Sequence, residues 1–436
     1  MRTVWAFFLC LMLGSIDSLS AQEADEKFGR LINAQDWFGL NQAYACDSAN
    51  ASPYIRLFTK AMLSHFFNRP ADAVSAIDSL LTSHQRRLSS SIFSMISLRS
   101  SNMMKLGKYA GNADFMERVC EQLGRQGQYP QLASFRSDAR NSRSLSRYEM
   151  SEWKRPDADV VVPMTIKSVG EEGKQITIPL SLNGHDYNAV FDTGAGVNVV
   201  SPEIAESCQM EMFGDTMIVT GTRETKGVMA LAHELTIGNL HLKNVPFYVV
   251  DMSTGNLAAD RWMGQLAIVI GEDILNILNE VRLDFANGQL IVPSKETPAP
   301  SFAPNMAYST GGTLIMSCAD IYGKPWVGQL DTGAGQSHLY YPLFERDSLQ
   351  IKSHGLLGRR RHAGLGGIIE DVVYRLPQYQ FSAAGRGITL QNVFVDGEPP
   401  RGRTAQWLGG NLGMDFFLDF KNVVINMRQM FILFEK

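Results

Sequence analysis

The amino-acid sequence predicts a multidomain α plus β protein, in which an N-terminal α-helical domain is followed by two mostly-β lobes. Apolar residues recur at intervals of three and four before residue 150, and they alternate with polar residues after residue 158. The β-rich part also contains the same order of short motifs twice. We therefore expect a helical domain at 22–155, a first lobe at 158–297, a proline-rich linker at 298–309 and a second lobe at 310–436.

Size and composition agree with this division. The chain has 436 residues, which is more than one hydrophobic core usually holds. Its hydrophobic fraction of 45% and charged fraction of 19% are typical of a folded protein and argue against disorder. The formal net charge of −4 argues against nucleic-acid binding, which needs a concentrated basic face. The single basic cluster, 359–362, is short and lies between glycines, so it favours a solvated loop.

The first residues have the pattern of a secretory signal. Arg2 supplies a positive charge, Val4–Gly14 is an apolar run, and small residues around Ser20 and Ala21 offer a cleavage site. No later segment reaches the roughly 18 apolar residues that a membrane helix needs. We therefore expect a signal peptide at 1–21, no transmembrane segment, and an exported protein that is periplasmic or secreted.

The region 22–155 has the pattern of paired helices. Phe58, Ala61, Met62 and Phe66 fall on one helical face, and Pro70 is suited to the start of the next helix. Short helix pairs at this spacing loosely resemble tetratricopeptide units, but a 34-residue consensus does not recur. A helical bundle is the alternative.

Four cysteines follow the signal segment, at Cys46, Cys120, Cys208 and Cys318. None forms a Cys-x-x-Cys motif, so the sequence does not favour a zinc or dithiol redox site. In an oxidising compartment four cysteines can pair in three ways. Cys46 with Cys120 is the first pairing to test, since both lie in the helical region, and buried free thiols are the alternative.

After residue 158 the sequence favours short strands, and it repeats itself across the linker. Residues 192–196 and 331–335 both read Asp-Thr-Gly-Ala-Gly, and each follows an apolar strand. Gly271 follows the first aspartate by 79 residues, and Gly413 follows the second by 82. Matching strand segments precede each glycine, and a pair of closing strands follows it. Four matched elements in one order indicate a duplication.

At these motifs the chain resembles the pepsin and retropepsin clan of aspartic peptidases. The resemblance covers both lobes, and it implies two acid-protease lobes related by pseudo-twofold symmetry in a single chain, as in pepsin. It implies that Asp192 and Asp331 are catalytic. It also implies that Thr193 and Thr332 form hydrogen bonds across the symmetry axis.

Two aspartates held about 3 Å apart cannot both ionise cheaply, so they share one proton. Such a pair supplies both a base and an acid, and it can hydrolyse a peptide bond without a metal. The ionised carboxylate activates water, and its protonated partner polarises the carbonyl. Gly194 and Gly333 would permit a tight turn whose amides approach the carboxylates.

The surroundings of the two turns carry further predictions. Gly271 and Gly413 would let the backbone pass close beneath each turn, and Asp273 and Asp415 would cap short helices. Flap hairpins that cover the substrate are predicted at Gly221–Gly227 and at Gly364, Gly366 and Gly367, although either could be an ordinary surface hairpin. Asn411 is polar where the family prefers an apolar residue.

Other hydrolase chemistries do not fit the sequence. His233 and Glu234 lack the second histidine of a zinc-binding helix, and Ser337 lacks the glycine that ends a nucleophile elbow. We expect an aspartic endopeptidase with no metal or cofactor, acting on peptide or protein substrates. The alternatives are an inactive peptide-binding module of the same fold with the helical domain as a partner-docking unit, and, in place of a monomer, a homodimer whose lobes pair between chains.

Overall fold

A computed structural model describes residues 19–150, 153–169, 173–221, 224–253, 267–301, 304–365, 367–399 and 407–436. Most of the predicted signal peptide and Gly366 of the second predicted flap lie outside these residues. The chain divides into two compact units. One holds the helices up to Tyr148 together with Ala307–Gly311, and the other holds Glu149–Met306 and Gly312–Lys436. Helices at the N-terminal side and sheets after them confirm the α plus β class.

The helical unit consists of consecutive helices joined by short turns. They are α1 (Leu19–Asn33), α2 (Trp37–Asp47), α3 (Pro53–Phe66), α4 (Pro70–Ser83), α5 (Gln85–Leu88), α6 (Ser91–Lys105), α7 (Tyr109–Gln126) and α8 (Leu132–Leu145). Pro70 occupies the first turn of α4, as predicted, and the Ser52 side chain caps α3 by accepting from the Ile55 amide. Trp37 stacks on Phe66 at 3.8 Å between ring centroids, which anchors α2 on α3. Whether these helices form tetratricopeptide-type repeats stays a prediction.

Of the two alternatives that the sequence leaves open for the cysteines, the structure shows free thiols at all four described positions, and Cys46 is not paired with Cys120. Cys46 is exposed near the end of α2, whereas Cys120 on α7 is buried in an apolar cluster with Met116 and Phe135. A cysteine buried among apolar side chains behaves as a small hydrophobic residue and has no access to an exposed partner. Cys208 and Cys318 are also buried.

Strands dominate the chain from residue 160 onward. They are β1 (Val160–Pro163), β2 (Thr165–Val169), β3 (Gly173–Leu182), β4 (His185–Phe191), β5 (Val199–Val200), β6 (Glu211–Thr220), β7 (Glu224–Ile237), β8 (Leu240–Val250), β9 (Ile268–Ile270), β10 (Glu280–Asp284), β11 (Gln289–Val292), β12 (Met306–Tyr308), β13 (Leu314–Asp320), β14 (Pro325–Leu330), β15 (His338–Leu339), β16 (Leu356–Gly364), β17 (Gly367–Ala383), β18 (Arg386–Asp396), β19 (Gly410–Leu412), β20 (Asn422–Asn426) and β21 (Phe431–Glu435). In the described part of the chain, the helices between these strands are α9 (Pro202–Ser207), α10 (Glu272–Leu278), α11 (Tyr341–His354) and α12 (Met414–Phe417).

Two of the sheets repeat one strand order. The first runs β3-β4-β9-β5-β8-β7-β6, with β2 outside β3, and the second runs β13-β14-β19-β15-β18-β17-β16. An extra pairing of β3 with β7 in the first is matched by β13 with β17 in the second. We call residues 165–278 the first half and residues 314–417 the second half. The shared order accounts for the repeated motifs, because each motif occupies the same strand or turn in its half.

A third sheet joins the two halves, in the order β1-β11-β10-β20-β21. Its central strands β10 and β20 are antiparallel, with Arg282 opposite Val424 at the middle of the pair. Glu280 on β10 is fully buried and accepts hydrogen bonds from the Thr297 amide at 2.9 Å and from Nδ2 of Asn426 at 2.9 Å. Backbone pairing and this satisfied buried carboxylate therefore hold the two halves together.

Among the described residues, every helix is too short or too polar to cross a lipid bilayer.

Candidate active site

Asp192 and Asp331 occupy equivalent positions, each in the turn that follows a central strand. Asp192 follows β4 and its amide donates to the Ile270 carbonyl on β9 at 2.9 Å. Asp331 follows β14 and its amide donates to the Leu412 carbonyl on β19 at 3.0 Å. Since β4 and β14 are both paired on a parallel neighbour, the start of each turn is fixed by the middle of a sheet.

Thr193 and Thr332 link the two turns by reciprocal hydrogen bonds. The Thr193 hydroxyl donates to the Leu330 carbonyl at 3.0 Å and accepts from the Thr332 amide at 3.0 Å. The Thr332 hydroxyl donates to the Phe191 carbonyl at 2.7 Å and accepts from the Thr193 amide at 3.1 Å. Both threonines are buried. Each hydroxyl thus satisfies a donor and an acceptor of the opposite turn, in a place that water does not reach.

The link brings the two carboxyl groups together. A Cβ placed on Gly194 would lie 2.5 Å from Cγ of Asp331, and a Cβ on Gly333 would collide with the carboxyl of Asp192. Asp331 also interacts closely enough with Asp192 to be one of the causes that raise the pKa of Asp192. Both glycines are needed because the carboxyl group of the opposite turn fills the space where a side chain would begin. The left-handed backbone that usually requires glycine is not the reason, since neither appears among the residues with positive φ.

The environment of the pair favours one shared proton. Burial and the negative charge of Asp331 beside it raise the pKa of Asp192 well above its usual value, although the Gly194 amide donates to Oδ1 of Asp192 at 2.8 Å and opposes this shift. Asp331 accepts from the Ala334 amide at 2.8 Å on Oδ1. The contact is therefore compatible with one protonated and one ionised carboxyl group.

Gly271 and Gly413 pass directly beneath the turns, as the sequence predicted. A Cβ on Gly271 would lie 2.5 Å from the Ala195 carbonyl oxygen, and one on Gly413 would lie 2.8 Å from that of Ala334. The residues that follow these glycines donate their amides to the same two carbonyl groups, at 2.8 and 2.9 Å. Glycine is required at both positions because another chain segment occupies the Cβ site.

The predicted helix-capping role of Asp273 and Asp415 is wrong. Helices α10 and α12 begin immediately after Gly271 and Gly413, so both aspartates lie inside the first turn. The Asp415 carboxylate instead accepts from the Ser337 hydroxyl at 2.6 Å and from its amide at 2.7 Å. The capping rule considers only neighbours in sequence, whereas the partner of Asp415 lies 78 residues away.

Asn411 is a site residue whose role the sequence did not reveal. Its Nδ2 donates to Oδ2 of Asp331 at 2.6 Å, so both oxygens of that carboxyl group accept a hydrogen bond. The equivalent position in the first half is Val269, because Val199 pairs with Val269 as His338 pairs with Asn411. The sequence signal was present as a polar residue two positions before Gly413, but sequence alone could not give its distance from Asp331.

The predicted flaps are the ends of two equivalent hairpins, β6–β7 and β16–β17. The pairs Thr220–Glu224 and Gly364–Gly367 close the two tips. A Cβ on Gly221 would lie 2.6 Å from Cβ of Leu365, so the two tips touch. Leu365 also packs on an apolar cluster of the first half. That cluster contains Val199, which lies seven residues after Asp192.

Comparison with known families gives one match. A family model described as aspartyl protease matches residues 178–271, from strand β3 to the glycine beneath the first turn. The matched range contains Asp192, Thr193 and Gly194, and it supports an aspartyl protease family for the chain. No curated protein matches the sequence.

Replacing Thr332 with valine tests the link between the turns. Thr332→Val keeps the shape but leaves the Phe191 carbonyl and the Thr193 amide buried without that partner, which should cost about 2–5 kcal/mol of unfolding free energy. Urea denaturation measures this cost. Thr332→Ser keeps the hydroxyl and should lose about 1 kcal/mol. Equal stability of the two variants would contradict the role assigned to the hydroxyl.

Proposed function

We propose that the protein is an exported aspartic endopeptidase with two lobes related by pseudo-twofold symmetry, in which Asp192 and Asp331 form the catalytic dyad. The observation that carries the proposal is the contact of the two carboxyl groups between reciprocally bonded Asp-Thr-Gly turns. The matched strand order of the two halves and the aspartyl protease match in the first half support it. Both turns belong to one chain, which favours a monomer.

We assign the ionised state to Asp331 and the proton to Asp192. Asp331 accepts on both oxygens, including the 2.6 Å bond from Asn411, and such bonds favour the charged form of a carboxyl group. No amide side chain occupies the equivalent position beside Asp192, because that position is Val269. The raised pKa of Asp192 agrees with the same assignment.

This assignment defines the order of proton transfers. Asp331 removes a proton from a water molecule as its oxygen attacks the peptide carbonyl carbon, and Asp192 donates its proton to the carbonyl oxygen. The tetrahedral intermediate then collapses with cleavage of the C–N bond. Asp331 gives its proton to the leaving nitrogen, and Asp192 recovers one from the hydroxyl of the intermediate, which restores the starting state.

The two hairpin tips would act as flaps. Gly221 meets Leu365 at the tips, and Leu365 packs on the cluster that contains Val199, seven residues after Asp192, so we expect a bound peptide to lie between the turns and the tips. Covering the peptide would exclude water from the reacting bond and strengthen the electrostatic interactions inside the cleft. A peptide-binding module without activity needs the same cover but does not need two carboxyl groups that share a proton. The first prediction separates these two functions.

Removal of either carboxylate should abolish hydrolysis. Asp192→Asn and Asp331→Asn should each lower kcat by about 10³-fold or more, since a dyad with one carboxyl group cannot supply both the base and the acid. Peptide-library digestion measures the loss, and Asp186→Asn, at an exposed position on β4, is the matched control. Retained binding of peptides with no cleavage by the unmodified protein would instead support the inactive module.

The raised pKa of Asp192 also predicts a pH dependence of stability. Between about pH 4 and the raised pKa, the folded protein holds a proton on Asp192 that the unfolded chain has released. The native state then binds more protons, so the unfolding free energy should fall as pH rises, by at most about 1.4 kcal/mol per pH unit. Urea denaturation at several pH values should show this slope, and Asp192→Asn should remove it. An unchanged slope in that variant would show that Asp192 titrates normally.

Asn411→Val should lower the peptidase activity. The variant copies Val269 and removes the amide hydrogen bond to Oδ2 of Asp331, a bond to a charged group that should contribute about 1.5–3 kcal/mol, so kcat/KM should fall by about tenfold or more. Digestion of one peptide at a fixed pH measures this loss. Asn188→Val, on the exposed face of β4, is the control and should leave kcat/KM unchanged. An unchanged kcat/KM in Asn411→Val would contradict the role assigned to Asn411 beside the base.

A further inference from the structure

The side chains beside the Asp192 turn are apolar, whereas those at the equivalent positions beside the Asp331 turn are polar. Val199 on β5 lies opposite Val269 on β9, whereas the same two positions in the second half hold His338 and Asn411. The backbone geometry is repeated, because each pair is antiparallel in the same place of the sheet. The side chains differ in chemical class at both positions.

Two more positions follow the same rule. Val197 lies five residues after the first aspartate, and Gln336 lies five residues after the second. Val250 ends β8 and lies two residues after Tyr248, the partner of Val199. Asp396 ends β18 and lies two residues after Phe394, the partner of His338, so the two positions are equivalent. At four equivalent positions around the turns, valine in the first half is replaced by a polar or charged residue in the second.

In the first half these residues form an apolar cluster. Val199, Val250 and Met252 are buried together, and Val197 and Val269 pack against them from the side of the Asp192 turn. Leu365, from the tip of the opposite hairpin, packs on the same cluster. An apolar side chain from outside the first half is therefore already accommodated here.

In the second half the equivalent residues form a hydrogen-bonded network. His338 contacts Oδ1 of Asp396 through Nε2 at 2.5 Å and Nη1 of Arg360 through Nδ1 at 2.7 Å. Arg360 also donates to Oε1 of Gln336 at 3.4 Å and lies over the ring of Phe394. The network is half-buried and borders the Asp331 turn, since Gln336 belongs to that turn.

Arg360 is the arginine of the basic cluster that joins this network, because successive side chains of a strand point to opposite faces. Its neighbours Arg359 and Arg361 point to the other face of β16, where both approach Glu370, at 2.8 and 4.0 Å. Arg360 points to His338 instead. The cluster that the sequence indicated as a solvated loop is a strand, and one of its three arginines is directed towards the region around the dyad.

A substrate whose scissile carbonyl reaches the dyad must extend across both turns. Its side chains on one side of the bond would meet the valine cluster, and those on the other side would meet the network. An apolar side chain against the network would remove water from polar groups without replacing the hydrogen bonds to that water. A peptide with such a side chain should therefore react much less well than one with a hydrogen-bonding side chain there. Oδ1 of Asn411 is buried with no donor in the described part of the chain, so it offers an acceptor to an incoming group.

We propose that the peptidase selects asymmetric peptides, with an apolar side chain against the first half and a polar, hydrogen-bonding side chain against the second half. The proposal rests on the proposed endopeptidase function and names its substrate class. The half-exposed residues, Val197 and Val269 on one side and Asp396 and Arg360 on the other, would meet the substrate. His338 is buried and holds Asp396 and Arg360 in position.

Four synthetic peptides test the proposal. Two are mixed, with leucines on one side of the central bond and glutamines on the other, in either order; the third has leucines throughout and the fourth has glutamines throughout. The mixed peptide in its preferred order should exceed both uniform peptides in kcat/KM by at least about tenfold. The double variant His338→Val with Asp396→Val copies the first half, and in it the leucine peptide should come within about threefold of the mixed one. Arg360→Leu should weaken the preference for glutamine, whereas Arg359→Leu, which faces Glu370, should not change it.

Two outcomes would overturn the inference: equal treatment of mixed and uniform peptides by the unmodified protein, or an unchanged preference in both the double variant and Arg360→Leu. Thermal unfolding of each variant checks that it is folded, and Arg360→Leu, at a half-buried strand position, serves if the double variant does not fold. Binding of the same peptides to Asp192→Asn, read as Kd, separates the two proposals. If the peptides bind selectively but the unmodified protein does not cleave them, the peptidase function is rejected and the selectivity is kept. If the protein cleaves peptides without selectivity, the selectivity is rejected and the peptidase function is kept.

Discussion

The reciprocal hydrogen bonds between Thr193 and Thr332 are the constraint on which the site depends. Neither turn can satisfy its own buried amide and carbonyl groups, because the partner for each is a hydroxyl from the other half. The cost of leaving such groups unpaired keeps the turns together even though they present two carboxyl groups to each other. Repulsion between like charges is then relieved by protonation, since separation would break the buried bonds. A structural bond network thus creates the acid and the base that the proposed chemistry requires.

The same frame also explains how two halves with one strand order hold two aspartates in different surroundings. The strand order and the glycines beneath the turns are duplicated, so the backbone sets equal positions for the two aspartates. The side chains around them are not duplicated. Asn411 lies where the first half has Val269, so Asp331 accepts a hydrogen bond from an amide side chain that has no counterpart at the equivalent position beside Asp192. Divergence at such positions could assign roles without any change in the fold.

Much of this arrangement could be predicted from sequence because its signals are local or repeated. The two Asp-Thr-Gly turns, the glycines at Gly271 and Gly413 and the hairpins at the predicted flaps all came from short motifs and their order. The errors concern partners that are distant in the chain. Asp415 has the pattern of a helix cap but bonds to Ser337, which only the strand register brings near.

Asn411 illustrates the same limit. In the sequence it is a departure from the family pattern, while in the structure its amide reaches Asp331 because β19 lies between β14 and β15. A propensity rule cannot supply that neighbour. The sequence left the state of the cysteines open for a related reason, since only the packed helices decide that Cys120 is enclosed among apolar side chains.

The sheet shared by the two halves has a consequence for how a long polypeptide could enter and leave. Swinging the halves apart like a hinged clamp would strain the ladder between β10 and β20, and with it the buried Glu280 that Thr297 and Asn426 solvate. The described residues of the hairpin ends meet through side-chain contacts instead, Gly221 against Leu365 and Leu365 against the cluster that contains Val199. Lifting those ends would leave the strand ladder of the shared sheet intact, so admission of a chain would be set by the hairpin ends while the paired strands at the base keep their hydrogen bonds.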